Sequence, residues 1–79
     1  MPSVNVKYFA FLREKASVES EMVSFEGSYA ELYQNLSAKY QFDLPSEMVQ
    51  VAVNDEFMSM SGQVSNNDKI VFIPPVAGG

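Results

Sequence analysis

Only one stretch of this chain has the periodicity of a substantial helix, and the rest of any fold has to be built around it. Leu32, Leu36 and Tyr40 recur at i, i+4 and i+8, with Tyr29 and Tyr33 flanking the same stripe. That spacing puts apolar side chains on one helical face. Ser28-Tyr29-Ala30-Glu31 stands before the stripe in the form of a capping box. The Ser28 hydroxyl can accept from the amide three residues on while Glu31 reaches back. The pattern predicts about three turns, ending before the loop around Asp43-Leu44-Pro45.

The other apolar segments read as strands. Val4-Asn5-Val6-Lys7-Tyr8-Phe9 alternates, with Val4, Val6 and Tyr8 on one side and Phe9 on the other. Residues 10–16 are rich in helix formers and predict a short helical turn or two. Residues 19–25 favour a second strand, close enough in sequence to pair antiparallel with the first. Residues 48–53 (MVQVAV) read as a strand, Asn54-Asp55 as a tight turn, and Phe57-Met58 as the start of a short strand. Residues 62–67 are polar and turn-rich. The last strand, Lys69-Ile70-Val71-Phe72-Ile73, stops at Pro74-Pro75, which cannot donate to a ladder. The order ββαβ(β)β, with one helix on one face of a mixed sheet, is an α+β arrangement of the β-grasp kind, the architecture of ubiquitin. It predicts a folded domain over residues 1–75 and a flexible tail over 76–79.

The chain has 79 residues, enough for one domain. A chain this short buries only about 60% of the surface its unfolded form exposes. It has no cysteine to staple it, so burial must do the stabilising. With 47% hydrophobic residues, six Phe and four Tyr, it has the material and lacks the composition of a disordered chain. No apolar run approaches a membrane span and no signal-peptide pattern opens the sequence, so the cytoplasm is the expected compartment. The net charge is −5 and the five basic residues are scattered. Nucleic-acid binding needs a basic face, and none is visible. The acidic balance suits a protein partner with a basic docking surface.

Elimination narrows the chemistry. Without histidine or cysteine, Ser-His-Asp and Cys-His systems and Cys/His zinc sites are excluded. The four glycines, at 27, 62, 78 and 79, have no phosphate-loop spacing. The carboxylate pairs Glu19/Glu21 and Asp55/Glu56 read as solvated edges or turns. No cofactor is expected to bind this chain.

The unusual feature is Ile73-Pro74-Pro75-Val76-Ala77-Gly78-Gly79. Two prolines carry the chain stiffly off the last strand, and it then becomes slim enough to thread a narrow channel. Four residues beyond Pro75 reach roughly 13–14 Å when extended. The Gly79 carboxylate is then presentable to another protein's active site. A carboxylate is inert toward acyl transfer until its oxygen becomes a leaving group, so such a tag implies a partner that spends ATP to adenylate it. Surplus apolar surface accompanies the tail. In the last strand Ile70 and Phe72 face one way, Val71 and Ile73 the other, and one helix covers only one side. Ile73 and Phe9, with Val71 less strongly, are therefore expected on an apolar docking face.

These residues resemble a known family, the small subunit of molybdopterin synthase. Val6-Lys7-Tyr8-Phe9-Ala10-Phe11-Leu12-Arg13-Glu14 is similar to that family's first strand and helix start. Val53-Asn54-Asp55-Glu56 is similar to its Val-Asn turn. Residues 67–79 follow its D-x-φ-x-F-φ-P-P-V-x-G-G ending. The resemblance implies that a ubiquitin-activating-like adenylyltransferase, using ATP and magnesium, converts the Gly79 carboxyl to an acyl-adenylate. A cysteine-derived sulfur then replaces the adenylate to leave a thiocarboxylate. The tail next enters the large catalytic subunit, where two sulfur transfers convert cyclic pyranopterin monophosphate to molybdopterin, within a heterotetramer of two small and two large subunits. On this resemblance Gly79 bears the sulfur and Gly78 permits threading. Ala77, Val76, Pro75 and Pro74 line the tail, Ile73 and Phe9 belong to the docking face, and Arg13 pairs with an acidic residue of a partner. The family often has an aromatic residue where this chain has Ile73. Open beside it are a thiazole-pathway sulfur carrier, which usually lacks the Pro-Pro-Val approach, a ubiquitin-like modifier joined to lysines, and a plain binding module.

Overall fold

Period-two alternation and the single amphipathic helix assemble as their patterns require. The computed structural model describes residues 1–75. Strand β1 (Ser3–Tyr8) leads through a short helix, α1 (Phe11–Ala16), to β2 (Ser20–Ser24). The long helix α2 (Tyr29–Tyr40) follows, then β3 (Gln50–Val53), β4 (Glu56–Met58) and β5 (Lys69–Ile73). The sheet order is β2-β1-β5-β3-β4, with β1 and β5 parallel at the centre and the other pairs antiparallel. This is the β-grasp expected from the sequence.

The capping box forms as read. The Ser28 hydroxyl accepts from the Glu31 amide at 3.1 Å, and the Ser28 amide donates to Glu31 at 2.9 Å. Tyr29, Leu32, Tyr33 and Leu36 are buried against Val4, Val6, Tyr8, Val51, Val53, Ile70 and Phe72 of the sheet. Phe42, just past the helix, completes the core with ring contacts to Tyr8 at 5.8 Å and Tyr33 at 5.9 Å. Asn54 and Asp55 both take positive φ, 52° and 71°, as a tight turn between paired strands demands.

Two expectations need correction. Met48 does not begin β3. Pro45, with φ fixed at −67°, starts a single 3₁₀ turn over Ser46–Met48, closed by the Val49 amide on Ser46 at 3.1 Å. Nor is Glu21 a solvated edge residue. The hydroxyls of Tyr8 and Tyr40 both donate to it, at 2.5 and 2.6 Å. Burial pushes its carboxyl up, but the hydrogen bonds from Tyr40 and Tyr8, with nearby Lys39, outweigh that and hold it below the ordinary value.

Candidate functional site

Because α2 covers one face of the sheet, the same alternation that fills the core leaves a second face bare. Cross-strand register places Lys7, Val71, Ala52 and Phe57 in one row across β1, β5, β3 and β4. The next row holds Ile73 beside Gln50. The β1–β5 register ends at Tyr8 and Phe72, and Phe9, the next residue, is exposed just past the strand. Met22 and Asn5 lie on it too, joined by a hydrogen bond from Asn5 Nδ2 to the Met22 sulfur at 3.5 Å. Phe57 is 71% exposed and Phe9 55%, while Val71, Ile73 and Ala52 are half-buried. With strands about 4.8 Å apart, the row from Lys7 to Phe57 spans roughly 14 Å.

The last described residues follow β5 directly. Ile70, Phe72 and Pro74 point alternately into the covered side and are buried, whereas Pro75 is exposed. Pro74 thus acts as the last anchor of the domain and Pro75 as the point of departure. Val76, Ala77, Gly78 and Gly79 lie outside the described residues. Arg13 is exposed on α1, and the ion pair found among the described residues joins Lys39 to Glu21, not Arg13 to any carboxylate.

The root of β5 is pinned by a buried carboxylate. Asp68 is 7% exposed and accepts from Tyr29 Oη at 3.1 Å, Asn54 Nδ2 at 3.2 Å and the Ser65 amide at 2.8 Å. Asn54 Oδ1 in turn accepts from the Lys69 amide at 3.1 Å. The helix start, the β3–β4 turn and the strand that launches the tail are therefore held by one side chain. Burial, and then the Asp68 carboxylate, push the Tyr29 phenol up. The groups with displaced proton affinities (Tyr8, Glu21, Tyr29, Tyr33 and Tyr40) are all committed to internal packing and hydrogen bonds. No group of three or more acidic side chains among the described residues is arranged to hold a metal. What the bare face offers is a half-apolar surface that no described helix covers.

Of the docking residues named from sequence, Ile73 lies in the strand rows of the bare face, Phe9 is exposed just past β1, Pro75 is exposed beyond β5, and Arg13 sits on α1 outside the strand rows. Sequence reasoning missed Phe57, the most exposed aromatic residue, although the Asn54-Asp55 turn fixes its parity opposite to Val51 and Val53. It also missed Asp68 as a pin.

Residues 6–79 match the model of the ThiS family. The chain belongs to that family. The molybdopterin synthase sulfur carrier subunit of Haemophilus influenzae is 32% identical over 80 residues, a match covering 96% of this chain and 99% of that protein. This bears out the resemblance read from the two ends of the sequence. Among solved structures, small archaeal modifier protein 1 of Methanosarcina acetivorans superimposes with a TM-score of 0.80 at 23% identity, covering 100% of this chain and 98% of its own. A chain from the complex of subunits 1 and 2 of the molybdopterin-converting factor of Helicobacter pylori gives 0.66 at 23% identity, covering 98% and 99%. Both share the fold of this ThiS-family chain. No described helix is long and apolar enough to cross a membrane.

Proposed function

We propose that this ThiS-family chain is the sulfur carrier subunit of a molybdopterin synthase. The observation that carries the proposal is the full-length similarity to the Haemophilus carrier. The geometry supports it: Pro75 follows β5, whose Val71 and Ile73 lie on the half-apolar face with Phe57, and Phe9 is exposed just past β1. A partner seated on that face is in position to receive the chain end. The large synthase subunit is the proposed occupant, in a heterotetramer of two small and two large subunits, in the cytoplasm. The Helicobacter complex pairs subunits 1 and 2 of a molybdopterin-converting factor.

The chemistry proposed for the tail follows from what a carboxylate lacks. A carboxylate oxygen of Gly79 attacks the α-phosphate of ATP in an adenylyltransferase, with magnesium neutralising the phosphates, and pyrophosphate leaves. The terminal sulfur of a cysteine persulfide then attacks the acyl carbon, AMP leaves, and a second thiol cleaves the resulting acyl disulfide, which releases the thiocarboxylate and leaves a disulfide on the donor. In the large subunit this sulfur passes to cyclic pyranopterin monophosphate. The carrier's contribution is presentation: Gly78 and Ala77 keep the segment narrow, Val76 and Pro75 extend it, and Pro74 fixes where it starts. Arg13 is proposed to meet an acidic group of a partner. A second reading, a modifier joined to lysines, draws on the fold likeness to the archaeal modifier. A thiazole-pathway carrier fits the Pro74-Pro75-Val76 approach less well.

Intact mass after incubation with the adenylyltransferase, ATP and a sulfur donor tests the chemistry. The expected result is a gain equal to replacing one oxygen by sulfur, absent from a variant lacking Gly79 that melts like the wild type. Covalent products on lysines of other proteins, without that gain, would favour the modifier. No change with competent partners would overturn both.

A further inference from the structure

The chain has ten carboxylate side chains against five basic ones, so it is acidic as a whole. The strand residues of the bare face depart from that balance. Its charged strand residues are Lys7, beside Val71, and Lys69, beside Asn5. The two strand carboxylates, Glu21 and Glu56, pair with Val6 and Val53 and therefore belong to the other side. Asp68, next to Lys69, is buried and turned inward to Tyr29 and Asn54.

Lys7 and Lys69 are diagonal neighbours on adjacent strands, with Val71 touching the rows of both. Both are exposed, and the ion pair among the described residues involves neither. Lysines often guard the edge of a sheet against pairing with other chains. That explanation fails here, because β1 and β5 are interior strands with neighbours on both sides. Two like charges on adjacent strands oppose folding slightly, and the described strand residues of their own face include no carboxylate.

We propose that the protein surface seated on this face carries carboxylates opposite Lys7 and Lys69, next to the apolar seat for Val71, Ile73 and Phe57. The inference rests on the preceding reading, in which that protein is the large synthase subunit. It reverses the expectation drawn from net charge, that the partner's docking surface is basic. The net charge of this acidic carrier opposes approach of an acid-rimmed partner, while the two lysines attract it to this face. The charge distribution therefore selects the orientation that brings Pro75 and the chain end to the partner.

Association rates with the cognate large subunit, measured by stopped flow across a range of ionic strength, test the proposal. The wild-type rate is expected to fall as salt rises. The double variant K7Q/K69Q should associate about tenfold more slowly at low salt and lose most of the salt dependence. K7R/K69R, which keeps both charges, should behave as wild type. Q34E/N35E, two exposed positions on α2, makes the same change in net charge on the opposite side and should shift the rate by no more than about twofold. Equal rates for K7Q/K69Q and wild type, or a wild-type rate that rises with salt, would overturn the charge pairing while leaving the subunit pairing intact. Failure of the wild type to associate at all would overturn both.

Discussion

On the covered side of the sheet, Val6, Val51, Ile70 and Phe72 are at most 1% exposed, while their chain neighbours Lys7, Val71 and Ile73 on the bare side remain exposed or half-buried. The two faces come from the same strands and differ only in parity. One is filled by Tyr29, Leu32, Tyr33 and Leu36 of the helix and by Phe42 after it. The other has no helix above it among the described residues. Apolar residues on the first face are explained by folding. On the second they are not, since a chain with one helix gains little stability from a half-apolar surface left in water. The contrast gives stability to one parity and, on the proposed function, partner recognition to the other.

The largest effect should come from breaking the covered side. Phe72→Ala removes a fully buried ring that meets Tyr33 at 5.3 Å, and should cost about 3–5 kcal/mol. That is a large share of the 5–15 kcal/mol typical of a domain, so a small protein such as this should melt in little urea. Ile73→Ala, one residue along and on the other face, should cost no more than about 1–2 kcal/mol. Equal midpoints for the two would mean that the bare face is also core. A smaller effect on stability, but a large one on recognition, is expected at Phe57. Phe57→Ala should leave the melt within about 0.5 kcal/mol of wild type and weaken binding to the large subunit by about 1–3 kcal/mol, read by calorimetry. Loss of stability without loss of affinity would reverse the roles assigned to the two parities.

How much of this division was written locally decides how much could be read from the chain. The helix stripe and its capping box are patterns within a few residues, and each formed as read. Phe57 was countable from the Asn54-Asp55 turn. The polar pins were not countable, because their partners are far apart in sequence. Glu21 takes its hydrogen bonds from residues 13 and 19 positions away, and Asp68 takes one from a residue 39 positions away. The nearness of Lys7 and Lys69 depends on the parallel register of β1 and β5, which no turn between them fixes. The 3₁₀ turn at Ser46–Met48 was hidden because Met48 and Val49 are as apolar as the strand that follows. The sulfur-bearing role expected of the Gly79 carboxyl falls on a residue outside the described ones.

The smallest of these effects concerns Glu21, where the covered side is closed by hydrogen bonds at the edge strand β2. Its lowered proton affinity in the fold means that its stabilising contribution is present above the ordinary carboxylate range, about 4.3. The contribution is lost as pH falls through the lower folded value. Glu21→Gln keeps an acceptor but removes the charge, and should cost about 1 kcal/mol at neutral pH. Wild type and variant should then converge in acid, where both are uncharged at this position. At the alkaline end the sign reverses. Tyr8 and Tyr40 have raised values in the fold, so their contribution is present below about pH 10 and lost as pH rises above it. Burial is the chief cause at Tyr8 and the bond to Glu21 at Tyr40, so the substitution should move the alkaline limb mainly through Tyr40. Urea melts from acid to alkaline pH would read all of this. A stability gap that persists undiminished in acid would mean that shape, and not charge, holds Glu21 in place. Because Glu21 faces the covered side, its substitution should leave affinity at the bare face unchanged, and a matched loss of binding would show that the two faces are coupled through β1.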